Sequence, residues 1–319
     1  MILKNLIRDK KMKSLLTNYI RLNDSFKKKN LTYRLGVSAG FFSEYNNMIL
    51  AMLYCLEKKI QFKLYSNDAN FKYNKGWTDY FLPFCKDNAW SYQRYNFRAI
   101  DTSKKYDPRI ILHHLLKPNS FLTFELWPAF RNRNRENLKY CIPELGIDGD
   151  LKQACQVLIN LTWQYNEATQ VLVNDLITSL QLPEKYIGFH IRSGDKIQEA
   201  DLWSVSCYVE EAQKHTNLRT AFVLTDDYQI IETLQTRFPE WNIYTLCGKV
   251  EKGFYFRDFL KQDRLIIRDS LVKLFASVDA LSRSELFVGT FSSNIGMFLG
   301  MRMDSGQVYG IDLEKWQIW

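Results

Sequence analysis

No run of eighteen or more apolar residues occurs in this 319-residue chain, which argues against a membrane-spanning helix. Met1 to Leu16 also lacks the apolar stretch of a secretory signal, because Lys4, Arg8, Asp9, Lys10, Lys11 and Lys13 interrupt it. Histidine is scarce: of four, only His113 and His114 stand close together, and no metal-ligand spacing results. The six cysteines (Cys55, Cys85, Cys141, Cys155, Cys207, Cys247) form no Cys-x-x-Cys pair and lie mostly in apolar runs. They read as reduced core residues of a cytoplasmic protein rather than a disulfide framework. Neither a Gly-x-Gly-x-x-Gly fingerprint nor a Walker loop is present, and no internal repeat or low-complexity segment stands out.

What is present is a basic end and a neutral body. The net charge is +8, and residues 1–35 carry ten Lys/Arg against Asp9 and Asp24. The remaining 33 basic and 33 acidic residues cancel. Leu3, Leu6, Ile7, Leu15, Leu16, Tyr19 and Ile20 are interleaved with the arm's cations. Such an arm suits either an amphipathic helix on an anionic membrane surface or a solvated helix packed on the domain behind it. Nucleic acid is a weaker partner, since no recognition motif accompanies the charge.

At 46% hydrophobic, the length suffices for two modest cores. A first α/β half is expected at residues 36–182, behind the arm at 1–35. It opens with a strand at 34–37, a loop from Ser38 to Ser43 and a helix from Asn47 to Leu56. A strand at 61–65 and a third apolar run at 110–116 follow. From Leu151 to Leu182 apolar residues recur at helical spacing until Pro183, which predicts one long connecting helix. The second half, 183–319, alternates strands at 186–192, 221–225, 243–246, 286–289 and 308–311 with helices at 206–214, 229–238, 265–282 and 293–300. That alternation predicts a parallel sheet covered on both faces, the nucleotide-binding plan.

Three strand ends carry chemistry. Tyr186–Lys196 (YIGFHIRSGDK) is a strand that delivers His190, Arg192, Asp195 and Lys196. Arg192 offers a planar fork for phosphate and Lys196 a point charge, whereas a surface turn with solvated charges is the plainer reading. His190 suits a nucleotide contact or a satisfied core histidine equally. Phe222–Asp227 (FVLTDD) ends in paired acids that could accept from sugar hydroxyls or cap the next helix. Leu286–Asn294 (LFVGTFSSN) runs into a helix start, where Thr290, Ser292 and Ser293 could bind phosphate or act as simple caps.

In this order the three segments resemble the α1,6-fucosyltransferase family, whose signature is His-x-Arg-x-x-Asp-Lys. Ser66–Pro83 (SNDANFKYNKGWTDYFLP) is similar to the family's upstream aromatic stretch, so the likeness runs from about Gly36 onward. Two departures are visible. Relatives carry a second arginine where Ser193 stands, and the Ser193-Gly194-Asp195 version is also similar to the α1,2-fucosyltransferases of the wider superfamily.

The resemblance implies a GT-B-type α/β fold, two Rossmann-like domains facing a cleft, the C-terminal one binding the nucleotide sugar. It implies inverting transfer of L-fucose from GDP-β-L-fucose to a glycan or glycolipid hydroxyl, α1,6 or α1,2, without a metal or other cofactor. A place in polysaccharide biosynthesis, cytoplasmic or membrane-peripheral, goes with it. Arg192, Asp195 and Glu199 are the implied catalytic residues, with Glu199 near the family's proposed base. His190, Arg192, Lys196, Asp226, Asp227, Asp279, Thr290, Ser292 and Ser293 are implied on the donor side, Ser293 at the diphosphate and Asp279 at guanine. Glu44, Asn46, Tyr73, Trp77 and Trp127 are acceptor-side candidates, beside Asn47, Phe130 and Trp203. Two alternatives stay open: a transferase for another nucleotide sugar, and a non-catalytic nucleotide- or sugar-binding module.

Overall fold

Two short parallel sheets organise the chain. The computed structural model describes residues 2–86, 93–98, 107–193 and 203–318, with the backbone alone for residues 2–12. Asp195, Lys196 and Glu199 lie outside the described residues. The chain divides into two compact units, Met1–Asn166 and Glu167–Trp319.

In the first unit, β1 (Asn30–Arg34) is flanked by β2 (Gln61–Tyr65) and β3 (Ser120–Leu122), all parallel. Helix α2 (Phe41–Lys58) crosses from β1 to β2 and ends on Lys59 in the left-handed conformation, φ 54°. The aromatic surplus goes here. Phe41, Tyr45, Trp77, Phe81 and Trp163 pack ring on ring, with Trp77 and Phe81 stacked at 4.4 Å. The basic arm is helix α1 (Ile2–Ser25), and its last turns are docked rather than solvated. Tyr19 is buried, and Asn23 pairs with Phe62 of the sheet-edge strand in both directions: its Nδ2 donates to the carbonyl (2.9 Å) and its Oδ1 accepts from the amide (2.7 Å). One side chain thereby imitates a neighbouring strand at an otherwise open edge.

Several expectations need correction. The first strand lies four residues earlier than 34–37, since Leu31 and Tyr33 are the fully buried pair. The following helix starts at Phe41, taking in the second half of the expected loop. The apolar run 110–116 forms helix α3 (Pro108–Leu116). Asp107 caps it by accepting from the Arg109 amide, and Pro108 occupies the first turn, where a missing N–H costs nothing. The strand at that edge is β3. Strands β4 (Tyr140–Ile142) and β5 (Ile147–Gly149) form an unforeseen antiparallel pair.

The long connecting helix is two: α4 (Thr123–Phe130) precedes, then α5 (Leu151–Thr162) and α6 (Glu167–Ser179). Residues 163–166 are diverted to bond residues 78–82. The Leu82 amide donates to the Gln164 carbonyl (2.7 Å), and Asn166 Nδ2 reaches the Thr78 and Asp79 carbonyls. Apolar periodicity reads through such a break because the side-chain pattern resumes after it.

The second unit follows the sequence closely. Strands β6 (Ile187–His190), β7 (Thr220–Leu224), β8 (Asn242–Tyr244), β9 (Leu286–Gly289) and β10 (Val308–Gly310) make one parallel sheet, ordered β10-β9-β6-β7-β8. Helices α7 (Val205–Gln213) and α8 (Tyr228–Arg237) cover one face, where Ile187, Phe189, Ile191, Val223 and Val288 form the core. The short α9 (Phe256–Phe259) precedes α10 (Arg264–Ser282), and α11 (Asn294–Arg302) follows β9. Alternation along β6 sends Gly188 and His190 to the opposite face from Phe189. At Gly188 an added Cβ would stand 2.8 Å from Ser284 Oγ, at the end of α10.

Candidate functional site

The strand order reverses at β6. The chain moves outward through β7 and β8, then returns to lay β9 on the other side of β6. In open parallel sheets this reversal leaves a crevice beyond the strand ends, the usual place for a ligand. Two of the three singled-out segments end there: β6 delivers His190 and Arg192, and β9 delivers Thr290, Ser292 and Ser293.

Ser293 is the N-cap of α11. Its Oγ accepts from the Gly296 amide (3.0 Å), donates to the Thr290 carbonyl (2.8 Å) and lies 3.4 Å from His190 Nδ1. Since the serine proton goes to Thr290, the imidazole is the donor across that gap. Gly296 is required by the close turn, because an added Cβ would stand 2.0 Å from the Thr290 carbonyl oxygen. His190 is fully enclosed, and burial first, then Arg192, pushes its pKa down to about 3. It is therefore a neutral group at ordinary pH. Ser292 is exposed at the same turn.

The paired acids are committed to the backbone. Asp226 Oδ1 accepts from the Ser193 amide (2.8 Å) and Oδ2 from the Phe254 amide (2.9 Å), while its carbonyl accepts from the Gly253 amide. Asp227 caps α8 through the Gln229 amide (3.0 Å), and its other oxygen accepts from Ser193 Oγ at 3.3 Å. Thr225 Oγ1 accepts from the Asp227 amide. These bonds give the pair a scaffolding role, since together they fix the turn carrying Arg192 and Ser193, and Asp227 shows the helix capping expected beside the sugar-hydroxyl role. Ser193 itself, where relatives have arginine, is buried between them.

Asp279, the acid in the apolar helix α10, is also taken. Arg302 Nη1 of α11 donates to it at 2.6 Å, with both side chains largely enclosed. An exposed carboxylate for guanine is not what this contact provides. Asp312 was missed by sequence reasoning altogether. Its two oxygens accept from the Phe291 amide (2.7 Å) and the Ser292 amide (2.9 Å), pinning the turn before α11. The signal was available, since Asp312 follows the last strand by two residues, the position of an acid at a strand end.

The acceptor-side candidates belong to the first unit. Trp77 is 1% exposed and donates its indole N–H to the Leu82 carbonyl, so it is core and cannot stack on a sugar. Phe130 is likewise enclosed. Glu44 is buried on α2. Its carboxylate accepts from the Gly36 and Ser38 amides and from Arg98 (3.4 Å), and burial raises its pKa against the pull of Arg98. It shapes the loop after β1. Asn47 bonds Arg131 and Asn46 is buried in the same helix. Tyr73 and Trp127 keep part of their surface. Tyr73 OH donates to the Asp79 carbonyl, and Trp127 lies under the guanidinium groups of Arg98 (4.8 Å) and Arg131 (5.6 Å). Trp203, in the second unit, is 46% exposed. Among the described residues no group of three or more His, Cys, Asp or Glu could hold a metal ion.

Sheet order and strand-end chemistry define an α/β protein of the nucleotide-binding plan. Residues 154–300 match the family described as alpha-(1,6)-fucosyltransferase N- and catalytic domains, a span that contains all three motif segments. The chain is thus a glycosyltransferase similar to the fucosyltransferases, and the resemblance read from its motifs holds. Among solved structures, NodZ alpha-1,6-fucosyltransferase soaked with GDP-fucose is similar at 12% identity and a TM-score of 0.54, over 86% of this chain and 93% of that one. Fucosyltransferase NodZ from Bradyrhizobium is similar at 12% identity and 0.51, over 84% and 91%. At such identity the likeness is one of fold. No curated protein matches in sequence.

Proposed function

We propose that the protein transfers L-fucose from GDP-β-L-fucose to a glycan hydroxyl with inversion, through an α1,6 or α1,2 linkage. The carrying observation is the meeting of β6 and β9 at the strand-order reversal, with Arg192 following His190 and Ser293 opening α11. In this reaction the acceptor oxygen attacks the anomeric carbon, and the bond from that carbon to the β-phosphate oxygen breaks. Negative charge develops on the departing GDP. Arg192 and the positive end of α11 are the groups suited to meet it, which is why no metal ion is invoked. The acceptor proton passes to a carboxylate, for which Glu199 is the candidate; Asp195 and Lys196 complete the proposed donor site. Tyr73 and Trp127, with partly open rings, are the remaining candidates for the acceptor. NodZ structures include one soaked with GDP-fucose and one co-crystallized with GDP, which supports the choice of donor. A cytoplasmic enzyme acting on surface-polysaccharide precursors, with its basic arm near a membrane, completes the proposal; free cysteines suit that compartment.

The second reading, another nucleotide sugar, draws on one observation: Arg302 occupies the acid expected to read guanine. Calorimetric titration with GDP-fucose, GDP-mannose and UDP-sugars separates the two. Transfer is then followed with labelled GDP-fucose on an acceptor panel. Absence of GDP-fucose binding, or full transfer by Arg192→Ala, would sink the proposal.

A further inference from the structure

Residues 1–35 hold the whole net charge of the sequence, and the structure sets the last lysines of that stretch, beyond α1, beside cations from two other connections. In the first unit the three parallel strands share one N-terminal rim, because Asn30 stands in register with both Gln61 and Ser120. Each connection arriving at that rim brings lysine: Lys27, Lys28 and Lys29 before β1, Lys59 before β2 and Lys117 before β3. Backbone bonds hold the three entries together. The Gln61 amide donates to the Lys29 carbonyl, and the Asn30 amide to the Asn119 carbonyl, both at 2.9 Å. All five lysines are exposed, and none forms an ion pair among the described residues. The nearby acids are otherwise engaged: Asp24 with Lys86 (3.3 Å) and Gln61, Glu57 with Lys58 and Arg135. Burial, and next Lys117 and Lys86, depress the Lys63 ammonium, a sign of how closely the cations crowd.

Charge alone would suit any polyanion. The adjoining surface is what discriminates. Helix α3 descends to this rim with Ile111, Leu112, Leu115 and Leu116 on one face, at 52%, 54%, 75% and 71% exposure. Leu115 and Leu116 immediately precede Lys117. Exposed leucines gain nothing from a phosphodiester backbone but are stabilised at the boundary between headgroups and acyl chains, with lysines reaching the anionic headgroups around them.

We propose that this rim, with the exposed face of α3, is a docking surface for an anionic lipid bilayer. It is a contact made by the folded sheet, distinct from one made by the arm alone, and does not depend on which sugar the enzyme transfers. Lysine entries and apolar helix act together: charge draws the protein to the surface, and leucine insertion holds it there.

Co-sedimentation of the full chain with phosphatidylcholine vesicles, with and without phosphatidylglycerol, tests this. Binding is expected only to the anionic vesicles. Removing three charges as Lys28→Gln, Lys29→Gln and Lys117→Gln is expected to weaken it roughly 100-fold, and Leu115→Ser with Leu116→Ser at least about fivefold. Both variants should keep wild-type thermal stability and nucleotide binding, being confined to exposed side chains. Arg192→Ala should bind vesicles like wild type, which separates this result from any failure of the donor proposal. Three outcomes would overturn the inference: no vesicle binding; binding lost with Lys4→Gln, Lys10→Gln and Lys11→Gln in the arm but indifferent to the rim; or insensitivity to the leucine changes with equal binding of single-stranded RNA.

Discussion

His190 Nδ1 and Ser293 Oγ lie 3.4 Å apart although 103 residues separate them in the chain. One ends a central strand and the other opens the helix after its neighbour, so their contact joins the two sides of the strand-order reversal. The contact fixes a neutral imidazole between the end of β6 and the start of α11, the two elements that carry Arg192 and Ser293 in the proposed donor site. What each neighbouring residue does can be separated by experiment.

Arg192→Lys keeps the charge and loses the fork. If Arg192 grips the diphosphate with two parallel bonds, the change should lower kcat/KM roughly 100-fold. Stability should barely move. Steady-state kinetics with GDP-fucose and thermal denaturation read the two quantities. A loss confined to stability would make Arg192 a scaffold.

Ser193 is where the sequence departs from relatives, and the structure supplies a reason that the departure is tolerated. Its amide and hydroxyl join Asp226 and Asp227. Ser193→Ala should cost about 1 kcal/mol by urea denaturation, the worth of one hydrogen bond. Ser193→Arg, restoring the relatives' residue, places a long cation at a buried position. It should cost about 3 kcal/mol instead of improving activity. Better transfer by that variant would show that the turn has room for a second phosphate contact.

The second unit was largely legible because its strands end in breaks and four of its helices open on a capping side chain: Ser204 before α7, Asp227 before α8, Asp263 before α10, Ser293 before α11. Local chemistry and tertiary pairing agree there. The first unit was harder. Pro108 in an apolar run reads as a boundary in either secondary structure, and three-residue strands such as β3 carry too few positions for a period of two. For the site, residue types at strand ends were readable, but not what each carboxylate would meet. Asp226 accepts from amides 33 residues back and 28 ahead, and no spacing rule connects those positions.

His190 predicts a pH dependence. Its folded pKa of about 3 lies below the ordinary 6.5, so between those values the unfolded chain binds the extra proton. Its contribution is therefore fully present above pH 6.5 and is lost as pH falls toward 3, at about 1.4 kcal/mol per pH unit. Unfolding free energies from urea titrations at about pH 7.5 and 5 should differ by about 2 kcal/mol from this group. His190→Gln should flatten that slope. An unchanged slope in the variant would assign the dependence to other groups.

Asp279 and Arg302 offer the sharpest separation of scaffold from specificity. The pair joins α10 to α11 at 2.6 Å, with side-chain exposures of 6% and 19%. Breaking it by Asp279→Ala strands a guanidinium in a largely enclosed place and should cost about 3 kcal/mol. Asp279→Leu combined with Arg302→Met removes both charges and should recover most of that loss. The double variant then reports on recognition with the structural penalty removed. If Asp279 serves mainly to hold α11 against α10, the variant should bind GDP within a few-fold of wild type, as calorimetry would show. If its carboxylate also accepts from the guanine edge, GDP affinity should fall at least tenfold while UDP affinity stays unchanged. The restored stability makes that comparison independent of folding.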